Sequence, residues 1–497
     1  MNKSVHFVFA DRFQFLIGVA QFFFCMLVVL VLLPEGSVRA APLFLLAIPF
    51  FVLAAIVAAL IPIASRHRSL QLTAVGVSGL LLVWCCLQSV SFIGNPFASP
   101  VWKAASDVLG TMAGSISVVP ADTLATLVPV LLPFAVFLTS MALFQSDEDA
   151  TRLLRFLAIF GGLVALYGLI QYELFPDHLM FRKKEYYLRD MTSVLVNRNS
   201  IATYLGAALL LNAGFLFDSL MPGASRSGRG GTVFYAHRHI RVSAYSILHG
   251  FLLCVAVVAL LLTHSRAGTA ASFISLLLLA VFFVLDGYRR IERRYGERLP
   301  GATHWRRIAV AIAASAAVAL VFAFFAGQVI LRADLQGMED GRFCAYPSIV
   351  QLLRDNWLLG TGLGSFREAF ARYQDPACGK DILWDRAHSF YLEGWIDLGV
   401  VFVPVLLLVV LGLLLTFVSG IRRRKARRWA SATGAAVLLV FVLHSIVDFS
   451  IQIPGVAVYF AAVMAGTAVL SMNRNRAASG TKDASRVIEG RRRGSRT

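Results

Sequence analysis

The stretch Ala387-His388-Ser389-Phe390-Tyr391-Leu392-Glu393 sets a histidine and a carboxylate where a polar loop runs into a long apolar segment. Histidine is the side chain whose ordinary pKa lets it take or give a proton near neutrality. Glu393 and Asp397 stand at i,i+4 spacing, so a helix there stacks both carboxylates on one face, in reach of the same rim. Arginines accompany them. Arg342 and Arg386 lie in the polar loop, Arg266 in the tight turn Thr263-His264-Ser265-Arg266-Ala267-Gly268, and Arg198 in Asn197-Arg198-Asn199. A guanidinium stays charged and forks onto phosphate oxygens, so this set reads as an anion site. Arg266 falls where two apolar segments meet, a depth at which an ionisable residue is a functional candidate by default; an anchor to lipid phosphate is the plainer alternative. Asn197-Arg198-Asn199 opens an apolar segment, and the first turn of a helix offers unpaired N–H groups to an anion. The plainer reading there is that Asn197 or Asn199 caps the helix while Arg198 snorkels. His264 reads as a turn residue.

Two further patterns carry less chemistry. Leu359-Gly360-Thr361-Gly362-Leu363-Gly364-Ser365-Phe366 alternates glycine, which permits close backbone approach to a ligand at Gly362 and Gly364, with no Walker lysine or dinucleotide-fold context beside it. His444 and Asp448 fall on one face at helical spacing and can pair, structurally or in support of the site. No third ligand stands at suitable spacing, so a metal site at His444 and Asp448 is not expected; no cofactor is expected either.

The elements that must hold these residues are membrane helices. The chain is 58% hydrophobic with mean hydropathy +0.72. About twelve apolar runs reach the length needed to span a bilayer, roughly 13–33, 43–64, 70–92, 121–144, 153–175, 200–220, 244–263, 267–286, 308–330, 391–419, 430–447 and 455–472. The expected organisation is nine spans over 1–330, one long outer loop over 331–390, three spans over 391–472 and a disordered basic tail over 473–497. The net charge of +18 sits in the loops, with clusters such as Arg289-Arg290 and Arg422-Arg423-Arg424-Lys425 on the side that places both termini in the cytoplasm, where they contact anionic lipid heads. Charge spread between spans excludes nucleic-acid binding. Val38-Arg39-Ala40 weakly resembles a signal cleavage site, but the apolar core before it is too long, so the first span reads as uncleaved.

The outer segments contain the functional candidates. Ser91 to Pro120 reads as a connector or interfacial lid, and Phe175 to Ser200 carries Arg182, Lys183, Lys184 and Arg189 against the positive-inside tendency. In the long loop, apolar residues at helical spacing from Arg342 to Trp357 predict an amphipathic helix on the membrane surface, and Phe366 to Tyr373 a second short helix. Cys344 and Cys378 both lie in that loop, and an oxidising compartment would join them. Cys25, Cys85, Cys86 and Cys254 fall within spans as apolar filler.

Five stretches taken in order resemble the O-antigen ligase and polysaccharide polymerase family of bacterial inner membranes: Asn197-Arg198-Asn199, Ser265-Arg266-Ala267-Gly268, the glycine run from Leu359 to Phe366, Ala387-His388-Ser389-Phe390-Tyr391-Leu392, and His444-Ser445-Ile446-Val447-Asp448-Phe449. Over 1–190 the likeness rests on span pattern and on Ile116-Ser117-Val118-Val119-Pro120. The resemblance implies an all-α polytopic glycosyltransferase of the GT-C type with one long periplasmic loop. It implies transfer of a glycan from undecaprenyl pyrophosphate to an acceptor hydroxyl on lipid A–core, a protein or another lipid-linked glycan, with inversion and without a metal. His388 takes the position of the family's proposed general base. Arg266, with Arg198, takes that of the pyrophosphate ligands, and Asn197, Asn199, Arg342, Arg386, Tyr391, Gly362 and Gly364 fall among the substrate contacts expected around them. Glu393, His444 and Asp448 would support the site from behind. Ser389 departs from the family, where many members carry Asn, which bears on acceptor positioning. A transporter of lipid-linked sugars is the rival reading; it needs a basic cavity but no large outer loop ending in histidine, and it often shows inverted repeats that this chain lacks.

Overall fold

The computed structural model describes residues 2–180, 182–220, 234–237, 240–295, 341–378, 384–425 and 427–474. In hydrocarbon every backbone N–H and C=O must be paired within the segment, and the apolar runs do this as helices. They are α1 (Asn2–Leu32), α2 (Ala40–Leu60), α3 (Arg68–Ser89), α4 (Pro100–Leu109), α5 (Pro120–Leu143), α6 (Asp147–Leu174), α7 (Arg198–Leu220), α8 (Ala244–Leu262), α9 (Arg266–Tyr295), α10 (Gly341–Asn356), α11 (Phe366–Phe370), α12 (Phe390–Leu398), α13 (Phe402–Arg423), α14 (Arg428–His444) and α15 (Pro454–Met472). Two small antiparallel hairpins, His178–Leu179 with Arg182–Lys183 and Phe234–His237 with Ile240–Val242, are the strands among the described residues.

Ten helical segments, with α12 and α13 counted together, are long and apolar enough to cross a membrane, and α14 is a shorter apolar helix. The chain is a multi-pass α-helical membrane protein. The expected run 308–330 and the tail beyond Arg474 lie outside the described residues. α7 and α15 form the centre, each 89% buried over its apolar window. α7 packs against α6, α8, α9 and α14, and α15 against α5, α6, α13 and α14. Small residues such as Gly206, Ala207, Gly214, Ala461 and Gly466 let these backbones approach closely.

Several expectations are corrected. The run 391–419 is not one helix: α12 stops at Gly399, whose φ of 62° lies in the left-handed region. The glycine run docks on the exposed end of α12. Thr361 and Gly362 donate their N–H groups to Ile396 O and Asp397 O, and Val400 N–H donates to Leu358 O at 3.0 Å. The carbonyls freed by the break are thereby satisfied within the membrane rim. α10 turns its apolar face into the protein, where Ala345, Ile349 and Leu352 cluster with Phe366, Phe370, Trp384, Ala387 and Ile396. The disulfide expected between Cys344 and Cys378, by contrast, is present, with Cα atoms 5.6 Å apart.

The basic clusters at the opposite end of the bundle are also partly turned inward. Arg424, only 4% exposed, bonds Asp147 and Asn473 O, and Asn473 Oδ1 accepts from Nε2 of the fully buried His67 at 3.0 Å. Arg290 and Arg428 both bond Asp286. A guanidinium near the end of an apolar helix is expensive to leave bare, and a carboxylate from a neighbouring helix removes that cost.

Candidate active site

His388 occupies the short connection between Trp384 and α12. Its φ of 52° is left-handed, an uncommon and strained setting for a residue with a Cβ, and such strain gathers at functional sites. The ring lies edge-on between Trp384, 5.8 Å between centroids, and Phe449, 5.5 Å. Glu393 holds the turn in place. Although 1% exposed, its carboxylate accepts Ala387 N–H at 2.8 Å, Arg386 Nη1 at 2.9 Å and Gln452 Nε2 at 3.0 Å. Arg386 also sits over the Phe449 ring at 5.8 Å. Burial disfavours the charge on Arg386, but Glu393 more than offsets this and holds the guanidinium above the usual arginine range. Ser389 caps α12, accepting Leu392 N–H, and Phe390 N–H reaches both Ser445 O and Asp448 O. Serine and asparagine both cap helices well, so the departure at Ser389 keeps the local geometry.

Behind this turn a buried hydrogen-bond chain joins three of the stretches singled out in the sequence. Ser265 Oγ donates to Asn199 Oδ1 at 2.9 Å, Asn199 Nδ2 donates to Asp448 Oδ2 at 3.0 Å, and Ser450 Oγ donates to Asp448 Oδ1 at 2.6 Å. Thr203 Oγ1 bonds Ser450 Oγ and His444 Nδ1. All six residues are at most 9% exposed. Asn199 is therefore a brace and not an open ligand. His444 and Asp448 do not share a helix face, since α14 ends at His444 and Asp448 lies in the following turn; Thr203 and Ser450 link them instead. Asn197 Oδ1 caps α7 by accepting Asn199 N–H at 2.7 Å.

The arginines divide. Arg266 is exposed at the first turn of α9 and makes no hydrogen bond or ion pair among the described residues. Arg198 Nη1 is paired with Asp190 Oδ2 at 2.7 Å and lies over the Tyr187 ring. Arg342 opens α10, but its side chain lies outside the described residues. The glycines pack against protein. Gly362 has φ 100°, and a Cβ there would strike Ser117 and Thr123, while one on Gly364 would strike Thr126. Gly364 N–H is held by Asp397 Oδ2 at 2.8 Å. The close approach the glycines permit is thus to Ser117 of the Ile116–Pro120 stretch, to the first turns of α5 and to α12. Tyr391 donates its hydroxyl to Val442 O at 2.8 Å.

An apolar cavity of about 310 Å³ opens beside the turn. Arg386, Gln452, Gly364, Asp397 and Tyr391 stand at one end, and α3, α5, α13, α14 and α15 supply walls such as Val77, Pro133, Phe402, Leu413 and Met464. From Ala457 to Met464 this wall descends about 10 Å into the bundle at 1.5 Å per residue. Sequence reasoning missed Asp190, Thr203 and Ser450, polar residues that each take a partner distant in the chain, His264 for Asp190 and Thr203 for Ser450. Asp190 alone left a signal, as a carboxylate between Arg189 and Arg198. Among the described residues no three His, Cys, Asp or Glu side chains are grouped as metal ligands.

Residues 251–402 match the family model described as O-Antigen ligase. The match takes in Arg266, the glycine run and His388, and stops short of Asn197–Asn199 and His444–Asp448. No curated protein matches the chain.

Proposed function

We propose that this chain, assigned to the O-antigen ligase/polymerase family by its match over residues 251–402, transfers a glycan from undecaprenyl pyrophosphate to an acceptor hydroxyl at the periplasmic face of a bacterial inner membrane. The observation that carries this reading is the apolar cavity whose polar end adjoins the strained, glutamate-braced His388 turn. A polyprenyl chain fits apolar walls, and the reacting diphosphate and sugar then stand at the polar end. The donor brings a good leaving group, so the protein has mainly to position reactants and neutralise diphosphate charge. Arg266, exposed and without a hydrogen bond or ion pair among the described residues, is the first candidate for that neutralisation, and Arg198 the second. His388 takes the acceptor proton as the new C–O bond forms and the bond from the anomeric carbon to the phosphate oxygen breaks. Its edge-on aromatic neighbours, Trp384 and Phe449, hold the ring.

Ligase action on lipid A–core is our first choice and polymerase action on a second lipid-linked glycan the alternative. The test is purified protein supplied with lipid-linked donor and either acceptor, beside His388→Ala. We expect His388→Ala to melt like wild type and to lose roughly 10²–10⁴-fold in transfer rate. Wild-type transfer by the His388→Ala protein would overturn the base assignment. Glycan appearing on lipid A–core identifies a ligase, and glycan chains lengthening on the carrier identify a polymerase.

A further inference from the structure

The turn before α9 contains a second histidine that the mechanism above does not use. His264 has φ 52°, and its Nδ1 donates to Asp190 Oδ1 at 2.8 Å. The other Asp190 oxygen takes Arg198 at 2.7 Å, and Lys184 Nζ donates to the Asp190 carbonyl at 3.1 Å. Asp190 is 6% exposed. Burial works against its charge, but the His264 and Arg198 donors outweigh it and hold the carboxyl below the usual carboxylate range. One carboxylate therefore orients two basic groups, Arg198 and His264, the second of them two residues away from the exposed Arg266. Structural pairing of Asp190 needs one of them. An excess of positive charge at the rim of a low-dielectric bundle is costly unless an anion completes it.

The Asp190 bond also decides what the other ring nitrogen can do. With Nδ1–H committed to a carboxylate, Nε2 is the atom that remains for a ligand, and it makes no hydrogen bond among the described residues. This turn is braced to His388 through Ser265, Asn199 and Asp448, whose carbonyl receives Phe390 N–H. The geometry points to a positioning pair: Asp190 fixes His264 and Arg198 side by side, and the imidazolium Nε2–H of His264 donates to the diphosphate of the lipid-linked donor, next to Arg266. The inference rests on the proposed transfer reaction for the identity of the anion.

The test is binding of farnesyl diphosphate N-acetylglucosamine to the full-length protein in detergent, read as a thermal shift at about pH 5.5 and about pH 8. This diester keeps its charge over that range, and so do Arg198, Arg266 and the depressed Asp190. Lys184, which faces Asp190, and Asp177, which faces Lys184, are common to all variants. Wild type should bind roughly 10-fold tighter at the lower pH, the worth of one charge-assisted hydrogen bond. His264→Gln should bind weakly and equally at both, and Asp190→Asn should weaken binding at both because Arg198 is released too. Should His264→Gln fail to fold, His264→Asn keeps an amide donor near the Nδ1 position. A pH dependence that survives in the histidine variants overturns the inference. Transfer assays on the same samples separate the two claims. Loss of pH-dependent binding in His264→Gln with no transfer by wild type would sink the reaction and keep the contact.

Discussion

Glu393→Gln is the most informative single change. Glu393 Oε1 accepts from Arg386 and Gln452, and Oε2 accepts Ala387 N–H at 2.8 Å. Glutamine offers one oxygen and one NH₂. If its oxygen stays with Arg386, the NH₂ faces Ala387 N–H, and a buried backbone donor loses its acceptor, at about 1–3 kcal/mol. The Arg386 ion pair weakens as well. Because the Arg386 side chain is 39% exposed, that contribution is taken at the low end, about 1 kcal/mol. The total is about 2–4 kcal/mol, concentrated on the backbone of the residue before His388. We expect a transfer rate down by roughly 30–700-fold, since about 1.4 kcal/mol is a factor of ten, with donor binding largely kept. The assay pairs transfer kinetics with melting curves, for Glu393→Gln, Arg386→Met and the double variant. Removing both partners should cost less than the two single losses added together. Wild-type turnover by Glu393→Gln, or strictly additive losses, would refute the idea that Glu393 positions His388.

Three other perturbations are quantifiable. Replacing Cys344 and Cys378 by serine opens a link between residues 34 apart, and should cost about 3–4 kcal/mol of stability in the α10 to α12 layer, seen as faster hydrogen exchange there. His67 is fully buried, and burial, then Arg66, push its pKa below the ordinary histidine value despite the Asn473 bond. A base whose folded pKa is depressed loses stability as pH falls below its unfolded value of about 6.5. The melting temperature of wild type should therefore drop from pH 7 to pH 5.5 more steeply than that of His67→Gln; equal slopes would exclude the mechanism. Gly362→Ala forces a Cβ onto Ser117 and Thr123 at a left-handed φ, and should reduce folded yield several-fold in a fluorescence-detected gel-filtration assay, whereas Gly76→Ala, with open space around it, should not.

The division between what was legible and what was not follows the range of the forces involved. Hydrophobic length and periodicity are local, so the chain by itself determined that its apolar runs become membrane helices, and even the short helices at Gly341–Asn356 and Phe366–Phe370 could be placed to within a few residues. Residue type determined that His388 could move a proton and that an arginine at a rim could meet phosphate. Local sequence could not reveal where a helix must stop for the sake of something distant. Gly399 reads as one more residue of a span until the backbone of Leu358–Gly360 is brought against it.

Nor could spacing tell a ligand from a brace. Asn199 and Arg266 look equally available in the chain, but folding brings Ser265 and Asp448 to the first and leaves the second exposed at the head of α9. Buried polar groups must be satisfied, and their partners come from helices far apart in sequence. Chemistry was therefore written in the residues, whereas the assignment of each polar group to structure or to substrate was made only when the helices packed.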